Sequence, residues 1–253
     1  VSYSTNNGWF TKVNDLPVVK RDVGLNHTTY TSGFPKAILF HYTAGCGSDI
    51  SSVLKGRGSS VTFSVDRDGK IYEYLPLDTA GWHAFSMSHF AVGIEHTALK
   101  GTCDLTDVQL TASSKLSGAI REYVQTKHGF SIPLVKLPAP VTLSNVKPGF
   151  FDHKDGDGSW NENGHTDGLY RWTWKQYLDA VRNAEQDTGG DDLALADFIE
   201  GIDASVAGKD LNPDWSKDKK DGFRLSERIK KAALTPEPGT PAPHSHNLEG
   251  TAT

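Results

Sequence analysis

Apolar residues cluster in short runs through the first half of the chain and then switch to helical spacing. Ala37-Ile38-Leu39-Phe40 is a continuous apolar run that stops abruptly on His41, as a buried strand delivering a ligand at its end would. Residues 61–65 and 70–75 flank Asp68-Gly69, a hairpin signal because glycine tolerates the positive φ that the turn demands. Residues 91–95 read as another strand, apolar until Glu95. Two strands therefore end on ionisable groups.

Thr106-Asp107-Val108-Gln109 resembles a capping box, and Leu110, Leu116, Ala119, Ile120, Tyr123 and Val124 follow at helical spacing, predicting a helix to about Lys127. Pro133, Pro138, Pro140 and Pro148 then exclude a helix from the next stretch. Residues 172–185 form a second helical pattern, with Trp174, Tyr177, Leu178 and Val181 on one face. The run Gln-Asp-Thr-Gly-Gly-Asp-Asp at 186–192 reads as a linker or turn. Two short helices are expected beyond it, and a Pro-rich tail begins at Thr235. The division is an N-terminal segment, 1–34; a catalytic domain, 35–186; a helical extension, 187–234; and a tail, 235–253, in which His244 and His246 read as tail residues.

With 253 residues and 37% hydrophobic content, the chain can bury one sizeable core with a small appendage. The formal net charge of -5 argues against a nucleic-acid partner, which would call for a basic face. No apolar run approaches the roughly 18 residues of a membrane span. The N-terminus lacks the pattern of a leader, and a start at Val1 is compatible with one having been trimmed. Cys46 and Cys103 make neither a disulfide framework nor a paired zinc spacing, so both are expected to be free thiols.

The densest chemistry lies in Phe151-Asp152-His153-Lys154-Asp155 and Gly164-His165-Thr166-Asp167-Gly168. Histidine nitrogens and a carboxylate are zinc ligands, and a set of His41, His153 and Asp167 would leave the fourth position to water. His165 is the rival second ligand. It would need a third soon after Asp167, and residues 169–177 offer no Asp, His or Cys. Cys46 is a soft-ligand alternative to Asp167. A calcium loop at Asp155-Gly156-Asp157-Gly158 is disfavoured because Trp160 stands where the EF-hand pattern needs glycine.

Five motifs in order, Phe40-His41-Tyr42-Thr43, Trp82-His83-Ala84, Val92-Gly93-Ile94-Glu95, Asp152-His153-Lys154-Asp155 and His165-Thr166-Asp167-Gly168, make residues 35–185 resemble the zinc-dependent N-acetylmuramoyl-L-alanine amidases. That superfamily includes phage lysozyme-type amidases and peptidoglycan-recognition proteins. The resemblance implies one Zn2+ per chain on His41, His153 and Asp167, with Glu95 deprotonating the attacking water and His165 donating to the oxyanion. It also implies substrate contacts from Trp82 and His83, and Trp160 and Tyr170 flank the site as candidates to stack on sugar or stem peptide. Where the family motif often continues Asp-Pro-Gly, Asp167 here meets Gly168 directly.

The expected fold is α/β: a central mixed sheet flanked by helices on both faces, with the zinc site at one edge and a helical C-terminal extension. The expected function is hydrolysis of the amide between N-acetylmuramic acid and L-alanine in peptidoglycan. The context implied is a phage endolysin made in the host cytoplasm and acting on the wall, with an exported autolysin and a cytosolic muropeptide-recycling amidase as alternatives. Basic residues Arg228, Lys230 and Lys231 make the C-terminal extension a candidate for wall contact. Two competing functions are a non-catalytic recognition module and a zinc peptidase of the stem peptide.

Overall fold

In this computed structural model the described residues are 1–157, 159–161 and 164–186, and all fall in one compact unit, Val1–Gly189. The helices and tail expected within 187–253 lie outside the described residues. The chain opens with β1 (Tyr3–Asn6), β2 (Trp9–Val13), β3 (Leu16–Lys20) and the short β4 (His27–Thr28). It continues through β5 (Ala37–Tyr42), helix α1 (Ser51–Arg57), β6 (Phe63–Val65), β7 (Ile71–Glu73), β8 (Ala80–Gly81) and β9 (Ala91–His96). Helix α2 (Asp107–His128), β10 (Gly149–Asp152) and helix α3 (Trp174–Gln186) complete it.

One mixed sheet runs in the order β1-β2-β3-β7-β6-β9-β5-β10, while β4 pairs with β8 apart from it. Strands β10, β5, β9 and β6 are parallel, and β7 is antiparallel to β6. Residues 1–34, expected as a separate N-terminal segment, supply β1 to β3 of the same sheet. Strand β10 emerges directly from the proline-rich stretch that the sequence pattern left without an element.

The central strands are apolar throughout because both faces of the sheet are covered. Ile38, Phe40 and Phe150 pack with Leu116, Ile120, Tyr177 and Val181 of α2 and α3. Their neighbours Ala37, Leu39 and Phe151 point the other way, onto Ala84, Met87 and Trp160, where a 3-10 turn at Phe85–His89 closes that face. Helix α1 covers the same side farther along, with Leu54 packed against Val61, Tyr72 and Tyr74. Helix α2 starts at the expected capping box: the Gln109 backbone N–H donates to Thr106 Oγ1 at 3.1 Å, and the Thr106 N–H donates to Gln109 Oε1 at 3.0 Å.

The expectation of two free thiols is corrected by a Cys46–Cys103 disulfide, with a Cα–Cα distance of 5.7 Å. Strands β5 and β9 are parallel neighbours, so the loops after them leave the sheet side by side. Backbone hydrogen bonds from Thr43 to His96 and from Gly45 to Ala98, both 3.0 Å, draw those loops together until the cysteines meet. A separation of 57 residues gives no sign of this in the sequence.

Glu73 is fully buried on β7, accepting a 2.6 Å hydrogen bond from the Phe10 N–H with Oε2 while Oε1 has no partner among the described residues. Burial pushes its carboxyl up to about 9.

Two stability predictions follow from these observations. Cys103→Ser should lose about 4 kcal/mol of unfolding free energy, the loop-closure value for a 57-residue separation, as measured by urea denaturation. An unfolded Glu73 titrates near 4.5 and the folded one near 9, so unfolding releases a proton between these values and wild-type stability falls as pH rises through the window. Glu73→Gln should remove that slope, gaining relative to wild type between about pH 5 and about pH 8 in paired denaturation curves. Parallel pH dependences in the two proteins would contradict a raised Glu73.

Candidate metal centre and cleft

His41 and Glu95 are register partners at the carboxyl ends of β5 and β9, which places them side by side. On the other flank of β5, Asp152 of β10 is level with Phe40, so the next residue, His153, arrives beside His41. The chain then loops outward and returns at Asp167. Its Oδ2 lies 2.9 Å from His41 Nδ1 and its Oδ1 3.2 Å from His153 Nδ1, while the two imidazole centroids are 4.7 Å apart.

One donor atom from each of His41, His153 and Asp167 lies within 4.8 Å of the others, so the trio could hold a metal ion. Two imidazole nitrogens and one carboxylate oxygen are a zinc donor set with a position to spare. The histidines meet the carboxylate through the same kind of nitrogen, and a cation between them suits all three. Cys46 is removed as a soft-ligand candidate by its disulfide. Burial pushes His41 toward the neutral form that a ligand requires.

His153 is held between two aromatic planes. Trp160 stacks on one face at 5.6 Å and 7°, and His165 on the other at 4.3 Å and 14°. Trp160 is completely buried, and its indole N–H donates to the Val141 carbonyl at 2.7 Å. This corrects its assignment as a substrate contact: the ring props a candidate ligand from below. Gly156 makes room for it, because a Cβ there would stand 2.6 Å from the Trp160 ring. Asn161, which no sequence motif marks, ties the loop together by accepting from the His165 N–H at 2.7 Å and donating to the carbonyls of His165 and His153 at 3.1 and 3.3 Å.

Gly168 takes the place where a proline was expected. Its φ is +154°, and a Cβ would fall 2.4 Å from the Asp152 Cβ. That close approach lets the Leu169 N–H donate to Asp152 Oδ1 at 2.9 Å, while the Asp167 carbonyl accepts from the Lys154 N–H at 2.9 Å. Asp167 is thereby clamped against the end of β10.

The centre opens into a cleft of about 960 Å³. Glu95, His165, Trp82 and His83 all line it. Among the described residues Glu95 Oε2 is buried without a partner; burial first, and the Asp167 charge second, push its carboxyl up to about 8. Trp82 is half exposed, as a wall residue can be. Phe85, also half exposed, and Arg57 line the cleft too, and neither carried a motif signal. Tyr170 does not reach the cleft: its hydroxyl donates to Asp104 Oδ1 at 3.2 Å, accepts from the Leu105 N–H at 3.3 Å, and its ring packs on Tyr42. Its assignment as a substrate contact is likewise corrected.

The sequence profile of the N-acetylmuramoyl-L-alanine amidase family matches residues 27–138. Those residues belong to the amidase family. The matched amidase segment contains His41, His83 and Glu95 but ends before His153 and Asp167, which the fold brings in from outside it. No curated protein matches the chain. Among solved structures, the chain is similar to the N-acetylmuramoyl-L-alanine amidase LysC from Clostridium intestinale URNW, at 20% identity over 65% of this chain and 97% of that one, with a TM-score of 0.47. It is also similar to the Staphylococcus aureus hydrolase AmiA, at 16% identity over 70% and 87%, TM-score 0.48. The Ph2119 endolysin from Thermus scotoductus MAT2119 bacteriophage Ph2119 aligns at 14% identity over 65% and 98%, TM-score 0.41.

Gly168→Ala should push Asp167 off the histidines and weaken zinc binding by about 10–100-fold, the usual cost of disturbing a ligand's support. Gly47→Ala, where a Cβ meets nothing within 4 Å, is the control. Chelator competition reads both, and an unchanged zinc affinity in Gly168→Ala would refute the clamp.

Proposed function

We propose that this chain is a zinc amidase that hydrolyses the bond between N-acetylmuramic acid and L-alanine in peptidoglycan, working as a phage endolysin. The observation that carries this reading is the meeting of His41, His153 and Asp167 beside Glu95 at the floor of an open cleft. Zinc held by the three side chains would polarise the amide carbonyl and acidify water. Glu95 takes the proton from the attacking water and returns it to the leaving amine. Its proton affinity, raised by burial and by Asp167, suits a group that must do both near neutral pH.

His165 stands on the cleft side of His153, 44% exposed, with its Nδ1 3.3 Å from Asp167 Oδ1. From there it donates to the oxyanion as the carbonyl is attacked; such a donor is worth about 2.7–4 kcal/mol elsewhere. Trp82 forms a wall for the substrate. The Cys46–Cys103 bridge fits work outside the reducing cytoplasm, where the wall substrate lies. Wall contact by the basic residues of the C-terminal extension is part of the proposal and concerns residues outside those described.

With purified sacculi, Glu95→Ala should keep zinc and release no new amino groups. His165→Ala should keep zinc and lose about 10²-fold in turnover, and Asp167→Ala should lose both metal and activity. Equal zinc loss in the His165 and Asp167 variants would overturn the ligand set. A zinc-loaded wild type that releases nothing would leave a recognition module, and products with a cut stem peptide but an intact lactyl amide, seen by mass spectrometry, would make the chain a peptidase.

A further inference from the structure

We propose that His83 is a positioning residue that fixes the tautomer of His41, so that His41 presents Nδ1, and not Nε2, to the metal. The proposal rests on the metal centre described above and concerns a residue that the motif alone assigned to the substrate wall.

The argument is a count of protons along a line of four groups. The Ala91 carbonyl can only accept, and His83 Nε2 lies 3.2 Å from it, so that nitrogen carries the proton. A neutral imidazole has one N–H, so His83 Nδ1 is left with a lone pair. His41 Nε2 lies 3.0 Å from this lone pair and must donate to it. The remaining His41 nitrogen, Nδ1, therefore faces Asp167 Oδ2 as a second lone pair, across 2.9 Å. Two electron-rich atoms at that separation are reconciled by a cation. The relay thus begins at a backbone carbonyl of β9 and ends on a prepared ligand.

The surroundings of His83 are built for this. Its ring lies over Gly93, where a Cβ would come 2.8 Å from Nδ1 and 2.9 Å from Cε1. Glycine in the Gly93-Ile94-Glu95 strand end is the space into which the imidazole fits. Ser88 Oγ accepts from the backbone N–H groups of His83 and Ala84 at 3.2 and 2.9 Å, pinning the segment that carries the ring. The His83 and His41 rings meet edge-on, with interplanar angle 90° and centroids 5.1 Å apart. His153 has no such partner among the described residues: its Nε2 is buried and unpaired, and the ring is held by stacking and by Asp167 at Nδ1.

The test combines metal affinity with direct observation of the protons. In zinc-loaded wild type, nitrogen-15 NMR of the imidazoles should show His41 protonated at Nε2 and His83 protonated at Nε2. Chelator competition should show His83→Ala binding zinc about 10–100-fold more weakly. His83→Asn, whose Oδ1 can accept where Nδ1 did, should stay within about threefold of wild type. Gly93→Ala should reproduce the loss by displacing the His83 ring without removing a polar atom. Zinc bound through Nε2 of His41 would overturn the relay while leaving the metal centre intact, and a wild type that binds no zinc would overturn both. Equal weakening in the Asn and Ala variants would show that the ring only fills space. The NMR readout on wild type stands even where a variant fails to fold.

Discussion

The parallel register of β10, β5 and β9 is the constraint on which the rest depends. It sets His41 level with Glu95 on one side and one residue ahead of Asp152 on the other. A slip of one residue in either pairing would turn a ligand or the carboxylate to the opposite face, into a packed core. Because these strands are apolar on both sides up to their carboxyl ends, burial specifies the register strongly. Polar groups are tolerated only at the carboxyl ends, where open α/β sheets place their ligands.

Behind the strands, a second set of polar contacts stiffens the centre from the helix side. His96 Nδ1 lies 3.1 Å from the His41 carbonyl, and its Nε2 lies 2.8 Å from Ser113 Oγ, which meets the Tyr177 hydroxyl at 2.7 Å. Burial pushes His96 down to about 4, so this chain of hydrogen bonds is neutral. It joins β5 to both α2 and α3. On the β10 side, the Trp174 indole N–H donates to Asp152 Oδ2 at 3.1 Å, joining α3 to the strand that delivers His153. The helices therefore cover the sheet and also anchor the backbone of its ligand-bearing ends. The disulfide adds a covalent tie between the loops that leave those ends.

The chemistry of the centre was legible in sequence because His41, Glu95, His153 and Asp167 are residue types that apolar strand ends and tight loops rarely carry together by chance. The α2 cap and the Asp68-Gly69 turn were legible for a similar reason, since each depends on contacts within a few residues; Gly69 has φ +84°. Trp160 and Tyr170 were misassigned because an aromatic near a site in sequence has equal reason to stack on a substrate or on the protein. Only the path of the loop puts Trp160 beneath His153 and turns Tyr170 toward Asp104. Strand β10 was missed because its four residues follow a proline-rich segment, and its signal is the neighbour it pairs with rather than its own pattern.

What the sequence determined by itself is the set of groups and the local geometry that short-range hydrogen bonds and steric limits impose. It specified two strand-end ionisable groups, a ligand loop, a capped helix and a glycine where a proline was expected. The tertiary structure decided which atoms meet: Cys46 with Cys103, His83 with His41, and Gly168 with Asp152. These are contacts between residues 16 to 57 positions apart, and their energy is realised only after the strands have paired. Spacing along the chain carries no record of them, because the distance between two side chains is set by the packing of the elements that hold them.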